Sequence, residues 1–166
     1  MPSTIPIASI VADSAETTGL KWAAPASGGK ILQVVEGSTT SELSSSSSTF
    51  ADTNLSATIT PSSASSKVLV LVAQAGLYKN ADNSMNRVDV RLMRGATELI
   101  KARDMLWTNS AVTNNGVNHT IVYLDSPATT SATTYKTQFA NPNSTNLVGV
   151  QNNAIKSIIV LLEVGA

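Results

Sequence analysis

His119 is the chain's only histidine and its only side chain with an ordinary pKa near neutrality. Any Ser-His-acid triad would have to be built on it. Serines and aspartates are available, but no Gly-x-Ser-x-Gly elbow presents one of them. Cysteine is absent, which removes thiolate nucleophiles, disulfides and sulfur-ligated metals. A zinc site on His119 would need carboxylates for its remaining ligands, an uncommon set. Asp82, Asp89 and Asp104 lie in or near loops and offer hard oxygens that suit calcium. No Asp-x-Asn-x-Asp-Gly loop accompanies them, and Asn80-Ala81-Asp82-Asn83-Ser84 reads first as a turn. Gly28-Gly29-Lys30 has the ending of a phosphate loop. Ala24 and Ile31 stand where that motif needs a glycine and a hydroxyl, so the backbone cradle and the magnesium ligand are both missing. These residues predict no enzyme, no cofactor and no metal.

A second set of residues suits adhesion rather than catalysis. Residues 1–29 hold three of the six prolines and close on Pro25-Ala26-Ser27-Gly28-Gly29, so they read as an extended arm and a flexible joint. Ile5, Ile7, Ile10, Val11, Leu20 and Trp22 are too few for a core and too apolar for a solvated tail. They are the expected anchoring residues, with Trp22 the strongest because a buried interfacial Trp dominates binding energy. Trp107 is expected in core or inter-subunit packing.

The elements that position these residues are strands. Residues 30–36 form an apolar run between glycines, and residues 55–60 alternate before Pro61. Residues 68–73 are continuously apolar and β-branched, the pattern of a strand buried on both faces. Val88, Val90 and Leu92 alternate with polar neighbours, and Arg94-Gly95-Ala96-Thr97 turns the chain into 98–101 as a hairpin. Residues 117–124, 135–139 and 157–164 complete about eight strands. No sustained 3.6-residue period occurs, and 98–107 reads as strand. The prediction is an all-β, jelly-roll-like β-sandwich over 30–166 carrying the arm 1–29. Residues 37–49 and 109–116 would supply long Greek-key connections, and the first and last strands would pair in the inner sheet. The serine-rich piece 38–48 reads as a polar loop.

Composition narrows the partners. Charged residues are only 13% of the 166, the net charge is +0, and no stretch is strongly basic, so the footprint of a nucleic-acid binder is missing. The N-terminus lacks a basic region and a long apolar run, so it does not read as a signal peptide. The run 68–73 is far short of the roughly 20 residues of a membrane helix, so no membrane insertion is expected. The lack of cysteine favours assembly in a reducing cytoplasm.

A resemblance adds to this reading. Ile10-Val11-Ala12-Asp13-Ser14-Ala15-Glu16-Thr17-Thr18-Gly19-Leu20-Lys21-Trp22-Ala23-Ala24-Pro25 resembles the linker of tail-fibre and related virion proteins of tailed phages, especially cyanophages. Residues 28–34, 50–61, 65–70 and 157–164 are similar to the C-terminal β-domain that follows such linkers. The resemblance implies a trimeric jelly-roll head displayed on a virion, with capsid or tail proteins as partners and a host surface receptor as a further candidate. The long shaft of a full fibre is missing, which favours a short appendage or a capsid decoration protein. A carbohydrate-binding β-sandwich module is the alternative, although aromatics are only 4% of the chain and such a module needs an exposed aromatic platform. A hydrolase on the same scaffold ranks last.

Overall fold

The computed structural model describes residues 10–12, 20–22, 29–79, 86–106, 115–143 and 146–166. Two short strands, β1 (Ile10–Ala12) and β2 (Leu20–Trp22), pair antiparallel in a sheet of their own. The remaining strands are β3 (Ile31–Thr39), β4 (Leu43–Ser45), β5 (Ala51–Ile59), β6 (Lys67–Lys79), β7 (Val88–Arg94), β8 (Thr97–Met105), β9 (Asn115–Asp125), β10 (Thr133–Ala140), β11 (Val148–Val150) and β12 (Ser157–Val164).

Four antiparallel ladders nest inside one another: β3 with β12, β5 with β10, β6 with β9, and β7 with β8. Outermost pairs with outermost and innermost with innermost, as in one long hairpin rolled up on itself. Lateral pairing of β12 with β6 and of β10 with β7 closes the roll into two sheets. One sheet runs β5-β10-β7-β8. The other has β3-β12-β6 with β9 on the far edge of β6, and β11 and β4 extend it at one end. This is the strand order of a two-sheet jelly roll. The expected fold class is what the chain adopts, and the expected pairing of first and last sandwich strands is the β3–β12 ladder.

Alternation builds the core. Leu55, Ala57 and Ile59 of β5 point inward between exposed Ser56 and Thr58. They meet Val68, Val70 and Val72 of β6, Val90 and Leu92 of β7, Tyr135 and Phe139 of β10, and Ile159 and Leu161 of β12. Gly95, with φ of +54, turns β7 into β8 where the hairpin was expected.

Three expectations need correction. Residues 68–73 are not buried on both faces: Val68, Val70 and Val72 are buried, Leu69 and Leu71 are half-exposed, and Ala73 is exposed. Among the described residues, only one side of this strand is fully covered. The stretch 38–48 is not all loop, because β3 continues to Thr39 and β4 pairs with β11. Gly37 does not end β3 but lies within it, paired with Ile159. A Cβ there would run into the Ser56 carbonyl of β5, so glycine lets the two sheets approach.

Candidate interaction surface

The two sheets present outer faces of opposite character. On the four-stranded sheet, polar side chains join in one chain across all four strands. Lys136 Nζ donates to Asp52 at 2.9 Å and Gln138 Nε2 donates to Asp52 at 2.7 Å. Arg91 Nε donates to Gln138 Oε1 at 2.8 Å, and Arg91 Nη1 donates to Glu98 Oε2 at 2.9 Å. Arg91 also lies 4.1 Å over the Phe50 ring, with Lys101 Nζ at 5.0 Å from the same ring. Partial burial alone would raise the Asp52 pKa, but the bonds from Gln138 and Lys136 outweigh it and hold the carboxyl below its usual range. Glu98 is also lowered, chiefly by the Arg91 hydrogen bond. Every group in this chain is satisfied by neighbours and solvent, as suits a face in water.

The other outer face is apolar. Registers across β3, β12, β6 and β9 stack its outward residues in rows. One row is Val34, Leu162, Leu69 and Leu124. The next is Glu36, Val160, Leu71 and Val122, and the third is Ser38, Ile158, Ala73 and Thr120. Val122 is 61% exposed, Val34 60% and Leu124 52%, and Leu32 at the end of the face is 49% exposed. Leu71, Ala73, Thr120, Ile158 and Val160 line a shallow dent in the middle. With strands about 4.8 Å apart and about 3.3 Å of rise per residue, four strands over seven residues outline roughly 400 Å² in plan. A face of this size falls within the roughly 300–600 Å² of the largest apolar patch on a typical monomer, a patch that is often functional.

Between the faces, buried polar groups pin one sheet to the other. Asp125 of β9 accepts from Arg94 Nη1 of β7 at 2.8 Å and from the Tyr135 hydroxyl of β10 at 2.6 Å. Burial, and then the Asp125 carboxylate, push the Tyr135 phenol well above its ordinary value, so it stays a donor. Thr137 Oγ1 of β10 donates to Gln74 Oε1 of β6 at 2.8 Å, and Ser157 Oγ of β12 accepts from Gln74, Gln151 and the Ala75 amide.

The residues singled out by type are not assembled into a reactive centre. His119 stands opposite Gln74 in the β9–β6 ladder, and burial alone pushes its imidazole down, so it is neutral at pH 7. Among the described residues, no carboxylate or hydroxyl is hydrogen-bonded to it. Asp89 accepts from the Asp104 amide at 3.0 Å, and Asp104 pairs with Arg87 at 2.6 Å. Asp82 lies outside the described residues, and no group of three or more metal-ligating side chains occurs among those described. Of the anchoring set, Ile5, Ile7 and Trp107 lie outside the described residues. Ile10 pairs with Trp22, Val11 with Lys21, and Ala12 with Leu20 in the β1–β2 ladder. None of the five described aromatic side chains is exposed: Tyr135 and Phe139 are buried, and Phe50, Tyr78 and Tyr123 are half-buried.

The apolar face itself was not assigned from the sequence. Its signals were the unbroken apolar runs at 68–73, 121–124 and 158–162, which fill both parities of a strand. No protein-family model matches this chain, and no curated protein is detectably similar to it.

Proposed function

We propose that this protein is a non-catalytic structural subunit on the outside of a tailed-phage virion, homo-oligomeric and trimeric, held to capsid or tail proteins by its N-terminal arm. The observation that carries the reading is the two-faced sandwich: an ion-paired face suited to water, and behind it an apolar face whose Val34, Val122 and Leu124 are exposed. The chemistry agrees, since Asp52, Asp89, Glu98, Asp104, Asp125 and Glu163 are engaged in structural contacts and burial keeps the single histidine neutral. The resemblance of 10–25 and of the strand-forming segments to phage tail-fibre proteins supplies the virion setting. An arm repeated in each subunit of an oligomer would turn a weak contact into a firm one through effective concentration. The carbohydrate-module alternative draws no support from the described aromatics.

The test is gold-labelled antibody on intact particles from a lysate that contains the protein, viewed by cryo-electron microscopy. Label on the head assigns a decoration role, and label on the tail or fibres assigns an adsorption role; both support the reading. Particles without label overturn it.

A further inference from the structure

Resting on the structural-subunit reading, we infer that the apolar face of β3, β12, β6 and β9 is covered by further copies of this same chain, which leaves the ion-paired four-stranded sheet on the outside of the assembly. Three features select a second copy over a foreign partner.

The first is chemistry. The inner columns of the face, Leu162, Val160 and Ile158 of β12 and Leu69, Leu71 and Ala73 of β6, hold no charge and no side-chain hydrogen-bonding group. Interfaces between separately stable partners are only about as apolar as ordinary surface, at roughly 56–58%, whereas those of homodimers are more apolar, at roughly 65%. Inner columns this devoid of polar anchors, with Glu36, Ser38 and Thr120 confined to the outer ones, suit permanent self-association. The second is size. A corrugated face of roughly 400 Å² in plan presents more accessible area than its outline. The outline is about half of the roughly 800 Å² per partner of a standard stable interface, and the relief of its side chains adds to it. The third is charge at the border. Glu36 sits on the β3 edge, in the row of Val160, Leu71 and Val122, and Lys67 sits on β6 one row beyond Leu69, about 16 Å away by strand spacing and rise. Neither makes an ion pair among the described residues. A copy packed across the face can set its acid against the other's base, and the self-complementary pair fixes the register.

Sedimentation velocity on the full chain at about 10 μM tests this. The wild type is expected to sediment as an oligomer. Val122→Glu places a charge where two apolar faces meet, and should raise the dissociation constant more than about 100-fold. Val122 points away from the core, so far-UV circular dichroism of the variant should still report a folded sandwich. Glu36→Lys and Lys67→Glu should each weaken assembly, and the double variant should recover most of the loss. These border substitutions keep the test open should Val122→Glu fail to fold. A wild-type monomer at this concentration, or an oligomer indifferent to all three single substitutions, overturns the inference. Either result leaves the particle-labelling outcome as it was, so the two failures are distinguishable.

Discussion

Glu163 is an acid with 1% of its surface exposed, near the end of β12. Its Oε1 accepts from the Ser62 amide at 2.7 Å and the Ser62 hydroxyl at 2.6 Å, and its Oε2 accepts from Gln33 Nε2 at 2.9 Å. The Ser62 hydroxyl is the largest influence, and the carboxyl is held at about 2, against an ordinary 4.5. The carboxylate thereby ties the turn after β5 to the β3–β12 ladder. Because the folded value is the lower one, this stabilisation is complete above the ordinary value and is lost as the pH falls toward 2. Glu163→Gln is expected to cost about 1.5–3 kcal/mol at pH 7, the worth of hydrogen bonds to a charged group. The gap between variant and wild type should narrow in denaturant melts at pH 3. An equal gap at both pH values would mean that the charge is not what matters. Ser157 makes a related case without charge. Ser157→Ala removes the acceptor for the Ala75 amide and for the amides of Gln74 and Gln151. A loss of about 2–3 kcal/mol in urea unfolding is expected from buried donors left unpaired.

At the scale of elements, Gly37 shows where sequence reasoning stops. A glycine after an apolar run reads equally as a strand end or as a point of close approach. Only the neighbouring strand decides, and here that neighbour is Ser56 of β5, 19 positions away in sequence but in the opposite sheet. Gly37→Ala is therefore expected to force the sheets apart and destabilise the fold by about 1–3 kcal/mol, read as a lower unfolding midpoint. An unchanged midpoint would mean that β5 can shift freely. The main strands were legible because alternation and turn residues are local: the β7–β8 hairpin follows from Gly95 and its flanks. The three-residue β11 and β4 were not, since neither holds enough residues to show a period, and each exists through its partner. The apolar face was half legible. The run at 68–73 signalled the strand but read as buried on both faces, whereas Leu69, Leu71 and Ala73 lie on a partly open side. A continuous apolar run looks the same in sequence whether its second side is covered or not. The site residues chosen by type, Trp22 and Trp107 above all, came from side-chain chemistry alone. The surface that stands out is built from Val, Leu and Ile, ordinary core residues whose significance lies in facing outward.

At the scale of the whole molecule, the jelly roll has a complete core of its own, yet one of its outer faces would be stabilised further by contact with a copy. Folding and assembly are then linked, because anything that binds only the native chain adds to its stability by mass action. For a trimer, each tenfold rise in protein concentration adds about 1 kcal/mol per subunit. For a domain of this length that corresponds to about 2–4 °C in melting temperature. Calorimetry of the wild type from about 1 to 100 μM should show that upward drift, and sulfate should enlarge it by strengthening apolar burial. The Val122→Glu variant should melt lower and at one temperature throughout, because its subunits unfold alone. Substituting Arg91, which belongs to the ion-paired face, should lower the melting temperature slightly while leaving the concentration slope unchanged, since exposed ion pairs stabilise little and take no part in the contact. A wild type with no slope would mean that the apolar face is covered from within the chain or not at all. A slope that survives in Val122→Glu but vanishes on substituting Arg91 would place the subunit contact on the four-stranded sheet and turn the molecule around on its platform.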